Sequence, residues 1–191
     1  MARRALKAMV FGVAWIVVTP LVLLTWLESV LTGAEAVFST CGQFLALGPG
    51  WPGVQLRAAF YCSTLADCSW QVHIGFGSVF THRGAKLAPN VSMGSYCVIG
   101  HADLGPAVMM GSRVSIPSGK RQHFDDDGRI VAEARYDTVK IGGGCWIGEG
   151  AIVLADVGED CILSAGAVVV KSMPARSVIG GNPATVLRSR V

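Results

Sequence analysis

Hydrophobic and polar positions are patterned in three different ways along the chain. From Ala8 to Leu27 no charged residue occurs over 20 positions. As a helix this run extends about 30 Å at roughly 1.5 Å per residue and matches a bilayer core. A second apolar stretch, Ala36 to Leu47, is too short to cross a membrane comfortably but apolar enough to dip into one. The segment Gly48 to Trp70 carries Pro49-Gly50-Trp51-Pro52-Gly53 and then Arg57, Phe60, Tyr61 and Leu65. It predicts a turn leading into a short interfacial helix. Beyond Trp70 an aliphatic residue followed by a small one recurs at six-residue intervals, as in Ile74-Gly75, Met93-Gly94, Ile99-Gly100, Met110-Gly111, Ile141-Gly142 and Ile147-Gly148.

Such a period is too long for one strand and does not fit a 3.6-residue helix, so it describes a coil of short strands separated by turns. Three hexapeptides make one triangular turn of a parallel β-helix, with the aliphatic residue inside and the small residue at the bend. Phe80 to Leu87 spans seven residues, Ile99 to Leu104 five and Val153 to Val157 four, so those corners bulge or tighten. The repeat is interrupted once, between Pro117 and Val139, by a polar loop of about 20 residues, a costly feature that is often functional. Open coil ends need cover. The first is expected to lean on Gly48 to Trp70 and the last on the C-terminal tail. Three units follow: an anchor over 1–47, helix or re-entrant hairpin; a linker and interfacial helix over 48–70; and a β-helix over 71–191 with its loop at 117–139.

Composition narrows the classes. The 191 residues leave room for one domain and a modest attachment, and 51% hydrophobic against 15% charged residues exclude disorder. The formal net charge of +3 equals the contribution of Arg3, Arg4 and Lys7 alone, which leaves no basic face for nucleic acid. Six scattered cysteines lack close CxxC pairing and are expected as small, reduced core residues. The basic start places the N-terminus in the cytoplasm, so one full crossing would export everything after Glu28. Thr19-Pro20 falls mid-segment, and a re-entrant or hairpin anchor returning the chain to the cytoplasm is expected instead. A secretory signal ending at Ala34-Glu35-Ala36 is the competing reading, against which stands the length of the apolar run.

The hexapeptide pattern, with Gly144-Cys145-Trp146-Ile147-Gly148, Ala165-Gly166-Ala167-Val168-Val169 and Gly181-Asn182-Pro183-Ala184, resembles the hexapeptide-repeat acyltransferases of the left-handed β-helix fold. The resemblance covers residues 71 to 191 and is greatest to the maltose, galactoside and colanic acid O-acetyltransferase branch and to acetyltransferases of exopolysaccharide pathways. It implies a mainly β fold, a left-handed parallel β-helix, here with an N-terminal hydrophobic membrane helix or hairpin. It also implies a homotrimer in which acetyl-CoA and acceptor meet between adjacent prisms. Family members carry a loop at this place with their catalytic histidine on it, and His123 is the match. Imidazole, with an ordinary pKa near 6.5, can take the proton of an alcohol as it attacks a thioester and return it to the departing thiolate. Glu149 or a loop aspartate is the candidate to orient that ring. The alternative is a solvated histidine beside Asp125, Asp126 and Asp127.

For the acyl donor the resemblance points to Ala165 and Glu149 beside Gly148 and Gly166, to Lys171 and Arg188 near the phosphates, and to Trp146 flanking the cleft. Thr185 stands where the family has a second arginine. Small corner residues also serve the fold itself, and the cations also suit solvent. His82 and His101, 19 residues apart, are close to one 18-residue turn and can stack on one face as acceptor-binding residues, although the family's usual asparagine is not evident. The same pair opens a different class, a hydratase resembling γ-class carbonic anhydrases, which bind zinc through three histidines. No third histidine has a coil-like spacing, and no metal is expected. His73 is expected to be structural.

The expected activity is acetyl transfer from acetyl-CoA to a sugar hydroxyl of a polysaccharide or lipid-linked saccharide precursor. The expected location is the cytoplasmic side of a bacterial inner membrane, where an anchor raises the effective concentration near a lipid-borne acceptor. The third alternative is a non-catalytic β-helix scaffold of a polysaccharide biosynthesis complex.

Overall fold

Each aliphatic position of the six-residue period closes a short strand and turns its side chain inward. Ile74, Leu87, Met93, Ile99, Leu104, Ile116, Ile141, Ile147, Val153, Leu163 and Val169 are all buried there. The structure, a computed structural model, describes residues 2–125, 127–132 and 134–190. Asp126, in the middle of the acidic run, and Glu133 lie outside the described residues.

The strands stack into three parallel faces of a solenoid of about six turns. The first face holds Asp67–Cys68, Lys86–Leu87, Ala102–Leu104 and Val139–Ile141. The second holds His73–Ile74, Ser92–Met93, Met109–Met110, Trp146–Ile147, Ile162–Leu163 and Ser177–Gly181. The third holds Val79–Phe80, Val98–Ile99, Ser115–Ile116, Ile152–Val153 and Val168–Val169. The turn from the second face to the third, here called the glycine edge, needs a left-handed residue in every coil. Gly77, Tyr96, Arg113, Gly150 and Gly166 supply it, with φ of 73°, 59°, 59°, 66° and 68°. The turn from the third face to the first, the loop edge, carries the 117–139 insertion. The tight four-residue spacing at Val157 is met by single bridges from Val157 to Ile141 and Met173 in place of a strand.

Both ends of the core are closed. Ala184–Ser189 turns back at Asn182-Pro183 and pairs antiparallel with Ser177–Gly181, so the tail covers the last coil as expected. At the other end stand three helices, α1 (Ala2–Thr32), α2 (Ala36–Ala46) and α3 (Gly50–Thr64). Within α1, Leu6–Thr32 is long and apolar enough to cross a membrane. Pro20 lies inside the helix, and the Thr19 hydroxyl donates to the Trp15 carbonyl at 2.9 Å.

The helix α2 is secured at both termini by side chains from elsewhere. At its start the Glu28 carboxylate accepts from the Val37 and Phe38 N–H groups at 2.6 and 3.2 Å, satisfying donors that a first turn leaves free. At its end the buried Arg57 guanidinium donates to the Leu45 and Gly48 carbonyls at 3.1 and 2.7 Å and to Ile74 O at 3.0 Å. A cation there complements the helix dipole, and replacing it would strand several carbonyls.

Here the structure differs from the expectation of an interfacial helix over 48–70. Arg57, Phe60 and Tyr61 are buried, because α3 is sandwiched between α1 and the first coil. Tyr61 OH accepts from the Phe80 N–H at 3.3 Å, and burial pushes its pKa up to about 12. Likewise Phe38, Cys41 and Leu45 of α2 pack into the core, leaving Phe44 and Leu47 outside. The six cysteines are free thiols; Cys41, Cys97, Cys145 and Cys161 are buried, and burial pushes Cys145 up to about 11.

Candidate functional site

The loop edge gathers the reactive side chains. His82 in the first coil and His101 in the second lie one above the other, as their spacing predicts, and meet edge to face with ring centroids 5.1 Å apart. The space is made by Gly84, where an added Cβ would lie 2.6 Å from the His101 ring. Tyr136, at the exit of the loop, folds two coils toward the base and lies 4.1 Å from the His82 centroid and 5.6 Å from that of His101. From the turn between α1 and α2, Glu35 Oε2 accepts from His82 Nδ1 at 2.7 Å, and Oε1 accepts from the Arg83 N–H at 2.9 Å. Burial, then the neighbouring His82, holds the His101 pKa below its ordinary value, with Glu35 pulling the other way.

The loop is zipped into a hairpin, not left as an open strap. Main-chain bonds run from Asp137 N to Ser118 O at 3.1 Å, Arg135 N to Gln122 O at 2.7 Å, Val131 N to His123 O at 2.9 Å and Asp125 N to Arg129 O at 3.0 Å. His123 therefore has a fixed backbone while its exposed ring makes no hydrogen bond, ion pair or ring contact among the described residues. Within one chain, neither Glu149 nor a loop aspartate meets it among the described residues. Asp125 Oδ1 is taken by the Arg129 N–H at 2.8 Å, and Glu149 sits on the glycine edge. At the root of the loop a cavity of about 330 Å³ is lined by Lys120, Arg121, Asp137, Asp156 and Lys171. Lys120 Nζ donates to Val170 O at 3.2 Å across it.

The other candidates stand along the glycine edge and the second face. The Gly148 N–H donates to Leu163 O at 2.9 Å and the Gly166 N–H to Glu149 O at 2.8 Å, so both are already spent on coil stacking. A Cβ on Gly148 would lie 2.5 Å from Ala165 N, which makes that glycine a requirement of the fold. Ala165 is exposed, and its N–H and C=O make no hydrogen bond among the described residues. Its amide groups are free to offer, as are the Ser112 and Glu149 N–H groups at the same corner of the coils below, among the described residues. Trp146 is exposed on the second face between Met109 and Ile162, and Arg188 is exposed on the closing strand beside Val178.

Within one chain the two edges lie on opposite sides of the third face, whose six residues per side extend about 20 Å at roughly 3.3 Å each. The outward surfaces differ as well. The first face presents Asp67, Lys86, Asp103 and Lys140, alternating in sign from coil to coil. The second presents Met109, Trp146 and Ile162, and the third Val98, Ile152 and Val168. Among the described residues no group of three or more His, Cys, Asp or Glu is arranged to hold a metal ion; the His82–His101 pair has a carboxylate and a phenol for neighbours. Sequence reasoning found His82 and His101 but missed Glu35, Arg83 and Tyr136, which join them only through tertiary contact.

No protein-family model matches the chain. It is 31% identical over 129 residues to the bifunctional protein GlmU of Streptococcus equi subsp. zooepidemicus, a match covering 66% of this chain and 24% of that protein. The chain thus spans about a quarter of that relative's length. Among solved structures, a maltose O-acetyltransferase from Clostridium difficile 630 superposes with a TM-score of 0.71 at 21% identity, covering 82% of this chain and 87% of that one. A hexapeptide-repeat acetyltransferase from Vibrio cholerae O1 biovar eltor, complexed with acetyl coenzyme A, gives 0.60 at 16%, covering 85% and 92%. A galactoside acetyltransferase in complex with coenzyme A gives 0.51 at 18%, covering 81% and 80%. The resemblance read from the hexapeptides holds for the fold: this chain is a parallel β-solenoid of the kind found in hexapeptide-repeat acetyltransferases.

Proposed function

We propose that the protein is a membrane-bound, acetyl-CoA-dependent O-acetyltransferase acting on a sugar hydroxyl of a polysaccharide or a lipid-linked precursor. The observation that carries this reading is the division of the site between two edges. A hairpin presents the unpartnered His123 ring on one, and Ala165 offers unpaired amide groups on the next. Coenzyme A and acetyl-CoA, bound in the galactoside and V. cholerae acetyltransferases of the same fold, suit such a backbone-lined edge.

In this reading His123 takes the proton of the acceptor hydroxyl as its oxygen attacks the acetyl carbonyl carbon. The C–S bond then breaks, and the imidazolium returns the proton to the CoA sulfur. Ala165 pairs with the amide-containing arm, and Lys171 and Arg188 bind phosphates. His82 and His101 line the acceptor side, with Glu35 fixing the His82 tautomer by accepting from Nδ1. The apolar second and third faces meet in a homotrimer, bringing the loop of one copy to the glycine edge of the next, while the charged first face stays in water. The anchor keeps the assembly on the cytoplasmic side of the bacterial inner membrane.

The test is thiol release from acetyl-CoA with saccharide and lipid-linked saccharide acceptors. Acceptor-dependent release by the intact chain, lost in His123→Ala, is expected. Equal release by both forms removes His123 as the base, and no binding of acetyl-CoA in calorimetry removes the whole reading and leaves a scaffold.

A further inference from the structure

The way α1 meets the prism constrains how it meets a membrane. Near its start, Lys7 Nζ lies 5.8 Å from the Trp70 ring and Phe11 is 6.1 Å from it. In the middle Trp15 Nε1 donates to Ser63 Oγ of α3 at 3.0 Å. Near its end the Arg83 guanidinium donates to Thr25 O at 2.9 Å and to Glu28 Oε2 at 3.1 Å. Trp70 and Arg83 stand at two corners of the same first coil. The helix therefore runs flat across the base of the prism from residue 7 to residue 28, a length of about 32 Å. Its inner stripe, Ala14, Val18 and Thr25, is buried toward α3 and α2, the layer between it and the first coil. Its outer stripe of Met9, Val13, Ile16, Leu23, Leu27 and Leu31 is exposed, with no charge from Ala8 to Leu27.

We infer that α1 lies in the plane of the membrane, sunk by its outer stripe into one leaflet, so that the prism stands on the bilayer with its axis along the normal. This deepens the membrane-bound reading above and rests on it. Were α1 to cross instead, the first coil would stand edge-on in hydrocarbon for the whole length of the contact. The exposed Asp67 of that coil and Lys86 of the next would then enter the lipid, where a charge is costly.

The orientation has a consequence for the acceptor. Coils are spaced about 4.8 Å apart, so the root of the loop stands roughly 10 Å above the first coil. Tyr136 bends back down to His82, which sits in the coil beside the helical layer. The loop edge thus opens toward the leaflet, where a saccharide carried on a lipid reaches it from below.

The test uses the full chain reconstituted into anionic phospholipid vesicles, with either Trp15 or Trp26 kept as the sole exposed α1 tryptophan. Fluorescence quenching is compared for lipids brominated near the headgroup and near the chain end. Strong quenching of both tryptophans by shallow bromines and weak quenching by deep ones is expected. Strong deep quenching of Trp15 with shallow quenching of Trp26 is the signature of a crossing helix and overturns the inference. A chain that does not float with vesicles at all overturns both this and the membrane-bound reading. A double change, Ile16→Arg with Leu23→Arg, is expected to release the folded protein, and its continued flotation is equally fatal. Acetyl transfer, assayed separately on a soluble saccharide, tells loss of the catalytic reading from loss of the orientation.

Discussion

The two edges that border the third face are built from the same six-residue period and are chemically unlike. On the glycine edge each coil repeats one left-handed residue at the same place, Gly77, Tyr96, Arg113, Gly150 and Gly166, so the backbone keeps one course from coil to coil. On the loop edge the corners vary in length, and the variation admits His82, His101, the 117–139 hairpin and Lys171. Regular stacking suits an edge for gripping an extended amide-containing donor. Irregular stacking suits an edge that must place acids and bases. A reaction that needs both has to bring the edges together across two copies, because one prism holds them a face apart.

The sharpest way to break that comparison is His123→Ala, which is expected to lower turnover by roughly two to four orders of magnitude without moving the melting temperature. Undiminished turnover would leave the loop edge without its base. Next, Ala165→Trp should fill the open corner of the glycine edge and abolish donor binding, again in a folded protein. Co-expressing the two inactive variants then sharpens the point. Mixed assemblies pair an intact loop with an intact corner, so partial recovery of activity is expected, and none if both edges serve from one chain. Lys171→Ala is expected to be milder, raising the KM for acetyl-CoA by about tenfold, in line with one charge-assisted contact, and to make that KM less sensitive to salt.

The contrast also explains what could be read from the sequence. Ile74, Ile99, Ile147 and their equivalents announce the coil because each obeys a local rule, one inward aliphatic per corner. His82 and His101 were legible for the same reason, since a one-coil spacing stacks them. Glu35 was not, because its role depends on α1 and α2 folding over the first coil, and locally it only resembles the middle of a cleavage site. Arg57 was misread for a related reason. Its neighbours Phe60 and Tyr61 suit a membrane interface as well as they suit the layer under α1. Only the packing of three helices on one coil tells the two apart. Glu149 does not meet His123 within one chain, and the sequence could not tell this because spacing gives the coil a residue occupies, whereas its edge follows only when the corner lengths are known.

The smallest expected effect tests whether the loop edge is tuned as well as irregular. His101 has its pKa held below the ordinary 6.5 by burial and by His82, and His73 on the first coil is held down by burial, then by Arg57 and Lys7. In the unfolded chain both imidazoles take up a proton near pH 6.5, whereas in the folded chain they do so only at lower pH. Folding therefore expels protons in that window. The stability contributed is complete above about pH 7 and is lost as the pH falls below 6.5 toward the depressed folded values. Thermal melts between pH 7.5 and 5 should show a falling melting temperature on the acid side, and His101→Gln should flatten part of that slope. Glu35→Gln removes the one neighbour that favours the charged His101, so the acid-side fall should steepen. An unchanged slope in both variants would mean that the stacked imidazoles share a corner without sharing a proton equilibrium.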